Sequence, residues 1–575
     1  MRVNIISNFR ENYGLMQDAN LLRGVLTAFI PDVRISKVHH MLPECPEAEL
    51  NIFLEVISPV LFPFARKNVW IPNPEWCRKT WVPYLKMIDE VWAKTPETRK
   101  IFEDLGVKTI FTGWSSLDKM WDPSQAKNYS KAIVPVGHNI FRYPKPILQA
   151  YERIRKDMPD LYEKLPELHL VYNSQAMEIF VPDTLSNKLV IHSEIMSESD
   201  YNSLLKECGL CVCISAAEGY GHAVNEAMSA GCNVLISEIT PFTQYLADDS
   251  LSCTYYVTKN KTEQHPDCLG VLVSSDVNSI VSQLEVYCLV HEDHRSQGSL
   301  HARENYVKRH NWWIHNMKEL LQSQNIEPYC LKDTFLEERL LPNVSIVTIT
   351  KDRRVFMPLA KYSYMIQSYP EDKLEWIIVD DGDDAIDDAL FGVPNVVYVR
   401  CPKGMSISDK RNLGVDKCMY EVVAFMDDDD VYPNNSILQR VAMMLKNPSK
   451  ECAFCTTIPC YDIVKYSSFM NIPPNVLPMS QRVSEATLIF TKSFWQEKKF
   501  DSSVNIAEAD AFIRGREHMC REISPQEVIV SLVHPLNTSS RRIPPMSEPN
   551  GCHYGFNEKL FDLVSQIGEE LKSKL

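Results

Sequence analysis

Nowhere in the 575 residues is there a run of about eighteen uninterrupted apolar side chains, so no segment is expected to cross a bilayer as a helix. A signal-peptide core is missing as well, because Met1-Arg-Val-Asn-Ile-Ile-Ser7 reaches polar residues at once. The 17 cysteines lack zinc-finger order: Cys211/Cys213 and Cys452/Cys455 stand in apolar runs with no second pair at the required spacing. They read as buried thiols, and a reducing, cytoplasmic location is the expectation. Positive charge is not in excess either. With 60 Lys and Arg against 75 Asp and Glu the net charge is −15, which argues against a nucleic-acid-coating surface. Small anionic ligands stay open, since phosphates are held by local amides, metals and a few basic groups. No internal repeat is visible. A hydrophobic content of 45% with 23% charged residues excludes disorder on a large scale. The length exceeds what one core accommodates, so several domains are expected.

What is present is a succession of short β-branched runs, each followed by a loop and a helical pattern. Val3 to Ser7 reads as a strand, and Leu15 to Leu26 as the helix that follows it. Strands are expected again at Arg34–Val38, Leu50–Val56, Asn68–Ile71, Glu90–Lys94 and Lys108–Phe111, with a helix starting at Thr95-Pro96, where proline suits the first helical position. A second α/β lobe begins at Ala132–Gly137. Its helix runs from Pro146 to Ile154, and further strands are expected at His169–Tyr172, Lys188–Ile191 and Leu210–Ile214.

The last of these strands runs into Ser215-Ala-Ala-Glu218-Gly219-Tyr220-Gly221-His222-Ala223-Val224-Asn225-Glu226. Two glycines permit a tight turn, and the helix from His222 points its N-terminal amides at whatever binds there. Glu218 and Glu226, eight positions apart, form an E-x₇-E pattern. With Cys232–Ser237 after it, the pattern resembles retaining GT-B glycosyltransferases of the family 4 type over roughly residues 1–325. That resemblance implies that Glu226 holds the donor ribose, that Glu218 and the amides of Gly221, His222 and Ala223 hold the donor sugar, and that Arg142 and Lys145 hold the diphosphate. The family usually places an arginine directly after the glycine, where this chain has His138.

A third α/β unit starts at Asn343–Thr350, after a linker or crossing helix. Lys351-Asp-Arg-Arg354 and a helix through Tyr364 follow, then Glu375–Asp383, a strand ending in carboxylates that would accept hydrogen bonds from a uracil or ribose edge. Glu421–Met426, short and apolar, throws Asp427, Asp428, Asp429 and Asp430 out at a strand's C-terminal end, where open α/β sheets bind ligands. Clustered carboxylates repel unless a hard divalent cation sits among them, and Mg²⁺ or Mn²⁺ takes one or two carboxylates plus substrate phosphates. The ordered set Val-Thr348-Ile-Thr350, Val-Asp380-Asp381-Gly, Asp-Lys410-Arg411-Asn-Leu-Gly and Phe-Met-Asp427-Asp-Asp-Asp resembles inverting GT-A glycosyltransferases of the family 2 type over roughly residues 342–545.

The resemblance implies that Asp380 and Asp381 bind the nucleoside with Lys410 and Arg411 beside it, before the helix that feeds the acidic strand. Thr348, Thr350 and Asp428 belong to the same nucleotide site, and Asp427 and Asp429 form the DxD pair on the metal. The catalytic base falls on Glu508 or Asp510, and the spacing to Ile513 and Arg516 favours Asp510. His534 completes the metal shell, and Arg541 and Arg542 clamp the diphosphate.

The expected architecture is therefore α/β: two Rossmann-like lobes (GT-B) over 1–128 and 129–325, a linker at 326–341, and a GT-A nucleotide-diphospho-sugar transferase domain over 342–575, each half with its own core. The expected function is a bifunctional glycosyltransferase. It would move sugars from nucleotide-sugar donors to a glycan, glycoprotein or glycolipid acceptor, retaining in the first half and inverting, with Mn²⁺ or Mg²⁺, in the second. The rival keeps one active GT-A domain, with the first half as a sugar- or nucleotide-binding module.

Overall fold

The computed structural model describes all residues except 10–13, 39–41, 43–45, 138, 176, 195, 244–252, 325–340, 447–448, 505, 538–554 and 574–575. His138, Arg541, Arg542 and nearly all of the expected linker lie outside the described residues.

Six strands open the chain: β1 (Arg2–Ser7), β2 (Asp32–Lys37), β3 (Ala48–Leu54), β4 (Ala65–Ile71), β5 (Glu90–Ala93) and β6 (Thr109–Phe111). They form a parallel sheet in the order β2-β1-β3-β4-β5-β6. The helix after β5 starts as expected, with Pro96 inside it and the Thr95 side chain accepting from the Thr98 amide at 3.1 Å. A second parallel sheet follows, from β7 (Asn128–Gly137), β8 (Glu167–Tyr172), β9 (Leu189–His192), β10 (Cys208–Cys213), β11 (Asn233–Ser237) and β12 (Thr254–Val257), in the order β12-β11-β10-β7-β8-β9. Its order reverses between β10 and β7, which opens a crevice at their C-terminal ends. The hairpin β13 (Lys259–Gln264) and β14 (Val271–Ser275) and a 31-residue helix, Glu292–Gln322, complete this lobe. The helix reaches back to the first sheet, where Trp313 lies 5.3 Å from the Trp114 ring.

The C-terminal unit holds β15 (Val344–Thr350), β16 (Leu374–Asp380), β17 (Val396–Arg400), β18 (Val422–Phe425), β19 (Cys452–Phe454), β20 (Ile458–Asp462), β21 (Ser467–Asn471), β22 (Ile489–Thr491), β23 (Cys520–Glu522) and β24 (Ser531–Val533). Seven of them form a mixed sheet in the order β17-β16-β15-β18-β22-β19-β23, and β21-β20-β24 form a small second sheet. Strands β15 to β18 run parallel, so Thr350, Asp380 and Asp427 leave the same edge. Gly414 lets the helix Ile407–Lys417 lie close against this sheet, because a Cβ there would stand 2.4 Å from Val347 Cγ1.

The cores are not one per half, as expected from the sequence. Strand alternation sends Ile5, Ile52, Val69 and Trp92 to one face of the first sheet, where they pack with the second lobe. It sends Ile6, Phe53, Trp70 and Val91 to the other face, into a continuous apolar core with Trp376, Phe425, Phe490 and Phe512 of the C-terminal unit. The first lobe is thus the shared middle layer. All described cysteines are free thiols, most of them buried.

Candidate active site

Strand β18 delivers the four aspartates to the edge where β15 and β18 diverge from their crossovers, and a buried tyrosine fixes the turn. The Asp427 amide donates to the Tyr432 hydroxyl at 2.7 Å, and that hydroxyl donates to the Ala486 carbonyl at 3.0 Å. Val431 and Val530 exchange backbone hydrogen bonds at 2.9 Å on the far side.

Held this way, the four carboxylates meet four environments. Asp430 Oδ1 accepts from the Ser531 hydroxyl at 2.6 Å and the Leu532 amide at 3.0 Å. Asp428, fully buried, accepts from the Thr350 hydroxyl at 2.6 Å and from Arg353 at 3.0 Å. Asp429 shares that guanidinium at 2.7 Å and faces His534 Nε2 at 3.1 Å. Asp427 Oδ1 is buried with no hydrogen-bond partner, and its cationic neighbour Arg411 stands at 3.6 Å. Burial and the neighbouring charge of Asp429 push Asp428 up to about 7, and burial raises Asp427 as well.

These residues fit a hard divalent ion. Asp427, Asp429 and Asp430 each offer an oxygen, all within 4.8 Å of one another, and the Asp427 oxygen has no protein donor. Ligand distances of ~2.0–2.6 Å let oxygens so spaced share one cation. His534 is buried beside Asp429, with its ring 4.5 Å from Phe356 and its Nε2 3.0 Å from the side-chain amide nitrogen of Asn537.

On the β16 side the expected nucleoside carboxylates are already engaged. Asp380 accepts from the Gly382 amide at 2.8 Å, the Tyr398 hydroxyl at 2.7 Å and Arg400 at 2.6 Å. Asp381 accepts from Lys410 at 2.7 Å and from the Gly404 amide at 3.2 Å. Thr348 acts as a strut, donating to the Met426 carbonyl at 2.6 Å and accepting from Trp376 at 2.8 Å. Lys410 and Arg411 lie inside the helix Ile407–Lys417 rather than before it. Successive helical side chains point about 100° apart, so only Lys410 reaches Asp381 while Arg411 turns to the opposite wall.

That wall carries the two candidate bases. Ala507 adopts φ 56°, a left-handed conformation rare for alanine, and launches the short helix Glu508–Ile513. Glu508 is buried and accepts from Arg411 Nε at 2.7 Å, which sets Glu508, Arg411 and Asp427 in one row. Glu485 completes the group: burial and the charge of Glu508 push it up to about 7. Asp510 faces elsewhere, accepting from Ser480 at 2.7 Å and pairing with Arg514. Burial opposes its ionisation, but the Ser480 and Arg514 hydrogen bonds hold it below the usual carboxylate range.

Sequence patterns had not singled out Arg353 or Glu485. Arg353 carried a signal, standing just past β15 at the edge that holds the aspartates; Glu485, a lone glutamate opening the short turn Glu485–Thr487, carried none.

In the second lobe, Gly221 (φ 93°) starts the helix His222–Ser229 from the crevice between β7 and β10. The nearby Glu218 takes a bidentate grip from Arg142, with Nη2 at 2.9 Å, and a hydrogen bond from Ser215 at 2.9 Å. Lys145 is exposed on the first turn of the helix Lys145–Asp157. His222 lies 2.9 Å from Asp18 of the first lobe and 2.8 Å from the Ser116 hydroxyl. Ala223 is buried, and Glu226 is buried with Oε1 lacking a hydrogen-bond partner, 3.5 Å from Lys119. Between the lobes, the loop between β13 and β14 is stitched to the loop after β4: Leu269 donates to the Cys77 carbonyl at 2.9 Å and Gly270 to that of Pro74 at 2.8 Å. Glu75, beneath this clamp, is pushed up to about 8 by burial, with Glu55 and Glu218 adding repulsion.

Residues 345–503 match the model of Glycosyl transferase family 2, which makes this part of the chain a glycosyltransferase domain. No curated protein matches the chain. Among solved structures, the chain is similar to the mannosyltransferase PcManGT from Pyrobaculum calidifontis, in complex with GDP-Man and Mn2+, at 15% identity over 35% of this chain and 62% of that one, with a TM-score of 0.27. It is also similar to S. aureus TarS 1-349 in complex with UDP, at 16% identity over 34% of this chain and 61% of that one, with a TM-score of 0.26. The chain spans about three fifths of these structures' lengths. Among the described residues, no helix is long and apolar enough to cross a membrane.

Proposed function

We propose that the C-terminal domain transfers a sugar, with inversion, from a nucleoside-diphosphate sugar to a hydroxyl of a glycan, glycoprotein or glycolipid acceptor. The observation that carries this reading is the row Glu508–Arg411–Asp427 beside the Asp428–Asp429–Arg353 cluster, at the edge of a glycosyltransferase sheet. A divalent cation, Mn²⁺ or Mg²⁺, held by Asp427, Asp429 and Asp430 with His534 alongside would neutralise the departing diphosphate. Glu508 is the proposed base, in preference to Asp510, because Asp510 is spent on Ser480 and Arg514. It takes the acceptor proton as the hydroxyl attacks the anomeric carbon from the face opposite the leaving group. Arg411 orients Glu508, and Lys410 holds Asp381 so that the loop after β16 keeps its shape for the nucleoside. Arg541 and Arg542 are proposed to clamp the diphosphate.

For the first half we propose a second nucleotide-sugar site of the two-lobed GT-B kind, and the Glu226 oxygen at the switch crevice, which has Lys119 at 3.5 Å but no hydrogen-bond partner, favours it. Its rival, a binding module that does no transfer, is favoured by Arg142 being consumed by Glu218 and by the clamp across the lobes. Hydrolysis of a panel of nucleotide sugars with and without Mn²⁺, by the wild-type protein and by Asp427→Asn, tests both. Asp427→Asn should abolish the Mn²⁺-stimulated turnover and leave any metal-independent turnover intact. Full metal-stimulated turnover by that variant would refute the assignment, and absence of metal-independent turnover would favour the module.

A further inference from the structure

Where the first lobe meets the C-terminal domain, a solvent-open groove with about 80 Å³ of cavity space is lined among others by Trp81 and Tyr84 on one side and Thr456, Ile472, Asn475 and Arg482 on the other. Its polar floor is charge-balanced. Arg482 grips the Tyr84 hydroxyl and lies 3.6 Å from Glu522, which accepts from Tyr84 at 2.7 Å and from Thr456 at 2.5 Å. One donor is left over: the Arg482 side chain is only 9% exposed, yet its Nε has no hydrogen-bond partner. A buried N–H in that state calls for an oxygen partner, water or ligand, that the protein does not supply. Since Glu522 already balances the guanidinium, a neutral oxygen suits it better than an anion. Trp81, half-buried, leans on Trp70 at 6.2 Å and is fixed by its Nε1 hydrogen bond to the Asn475 carbonyl at 3.3 Å, which presents an aromatic face at low entropic cost.

The groove and the proposed catalytic wall share one stretch of chain, Met479–Thr487. The turn Met479–Arg482 that carries Arg482 also carries Ser480, which donates to Asp510 at 2.7 Å. The next turn carries Glu485, which accepts from the Ala509 amide at 3.4 Å, beside Glu508.

We infer that this interdomain groove is the acceptor channel of the C-terminal domain and takes a neutral saccharide chain, with one sugar face on Trp81 and a hydroxyl or ring oxygen on Arg482 Nε. The inference rests on the transferase reading above and adds the acceptor's class and a role for the first lobe, which supplies one wall of the channel.

The test uses the full chain and defined probes: neutral hexasaccharides of glucose, mannose and N-acetylglucosamine, titrated by calorimetry and tried as acceptors, with Mn²⁺-stimulated donor hydrolysis measured separately. Ile472 is 41% exposed, so Ile472→Trp should fold and fill the groove. At least one hexasaccharide should bind the wild type. Ile472→Trp should weaken that binding about tenfold or more and raise the acceptor KM correspondingly, with donor hydrolysis unchanged. Trp81→Leu should move the same parameters in the same direction. Failure of every hexasaccharide to bind the wild type, or equal binding by Ile472→Trp, overturns the groove assignment. Calorimetry decides that point whether or not a donor is turned over, and absence of Mn²⁺-stimulated hydrolysis by the wild type counts against the transferase reading instead.

Discussion

Removing Arg353 should make the C-terminal domain depend on a divalent cation for stability. The guanidinium lies between two carboxylates, 3.0 Å from Asp428 and 2.7 Å from Asp429, donates to the Leu536 carbonyl at 2.9 Å, and is 17% exposed. Arg353→Met keeps the aliphatic stem and deletes the charge. Breaking one partner of a buried ion pair costs ~3–5 kcal/mol, because the remaining charge is left uncompensated, and here two carboxylates lose the same partner. For a domain of this size each kcal/mol moves Tm by ~2–4 °C, so the expected loss is roughly 6–20 °C in EDTA.

Two controls tie the loss to these carboxylates. Asp428 already sits at about 7 through burial and its neighbour Asp429, so at pH 6 a proton relieves part of the repulsion and the defect should be smaller than at pH 8. Mn²⁺ at ~100 times its dissociation constant should restore ~2.7 kcal/mol by mass action, and more in the variant than in the wild type, because the variant's carboxylates are free to bind it. Differential scanning fluorimetry at the two pH values, with EDTA or Mn²⁺, reads all of this. A Tm in EDTA at pH 8 within about 1 °C of wild type would refute the reasoning.

Glu508→Gln should lower turnover at least ~100-fold with little change in donor KM, whereas Asp510→Asn should cost far less; steady-state kinetics with equal losses in the two variants would reassign the base. Glu226→Ala should weaken nucleotide-sugar binding by the first half at least ~10-fold, read by calorimetry on the full chain with Asp427→Asn silencing the other site; unchanged affinity removes Glu226 from any donor site. Burial raises Glu75 to about 8, so its folded form holds a proton that the unfolded chain releases near the ordinary carboxylate value. Its contribution to stability is complete at low pH and is lost as pH rises toward and through 8. Glu75→Gln should therefore flatten the fall of Tm between pH 6 and 9, and an unaltered slope would show that Glu75 is not the group responsible.

The sequence by itself determined the strand-loop-helix succession and the edge on which the chemistry sits, because both are local. A β-branched run such as Val344–Thr350 or Val422–Phe425 is legible from composition, and polar residues that follow a parallel strand necessarily leave its C-terminal end. The helix cap at Thr95-Pro96 and the turn at Gly219 and Gly221 were readable for the same reason. Only the tertiary structure decided which charge meets which. Arg411 and Glu508 are 97 positions apart, and Tyr84 and Glu522 are 438 apart, and no local pattern encodes either pairing. Within Asp427–Asp430, four identical side chains differ only in what the surrounding strands and loops bring up to them: a serine hydroxyl for Asp430, Thr350 and Arg353 for Asp428, and no hydrogen-bond donor for the inner oxygen of Asp427. The shared core was hidden likewise. Alternation along Ile52-Phe53 and Val69-Trp70 says that both faces of the first sheet are covered, but one covering layer is the second lobe that follows directly and the other the distant C-terminal unit, and packing alone selects them.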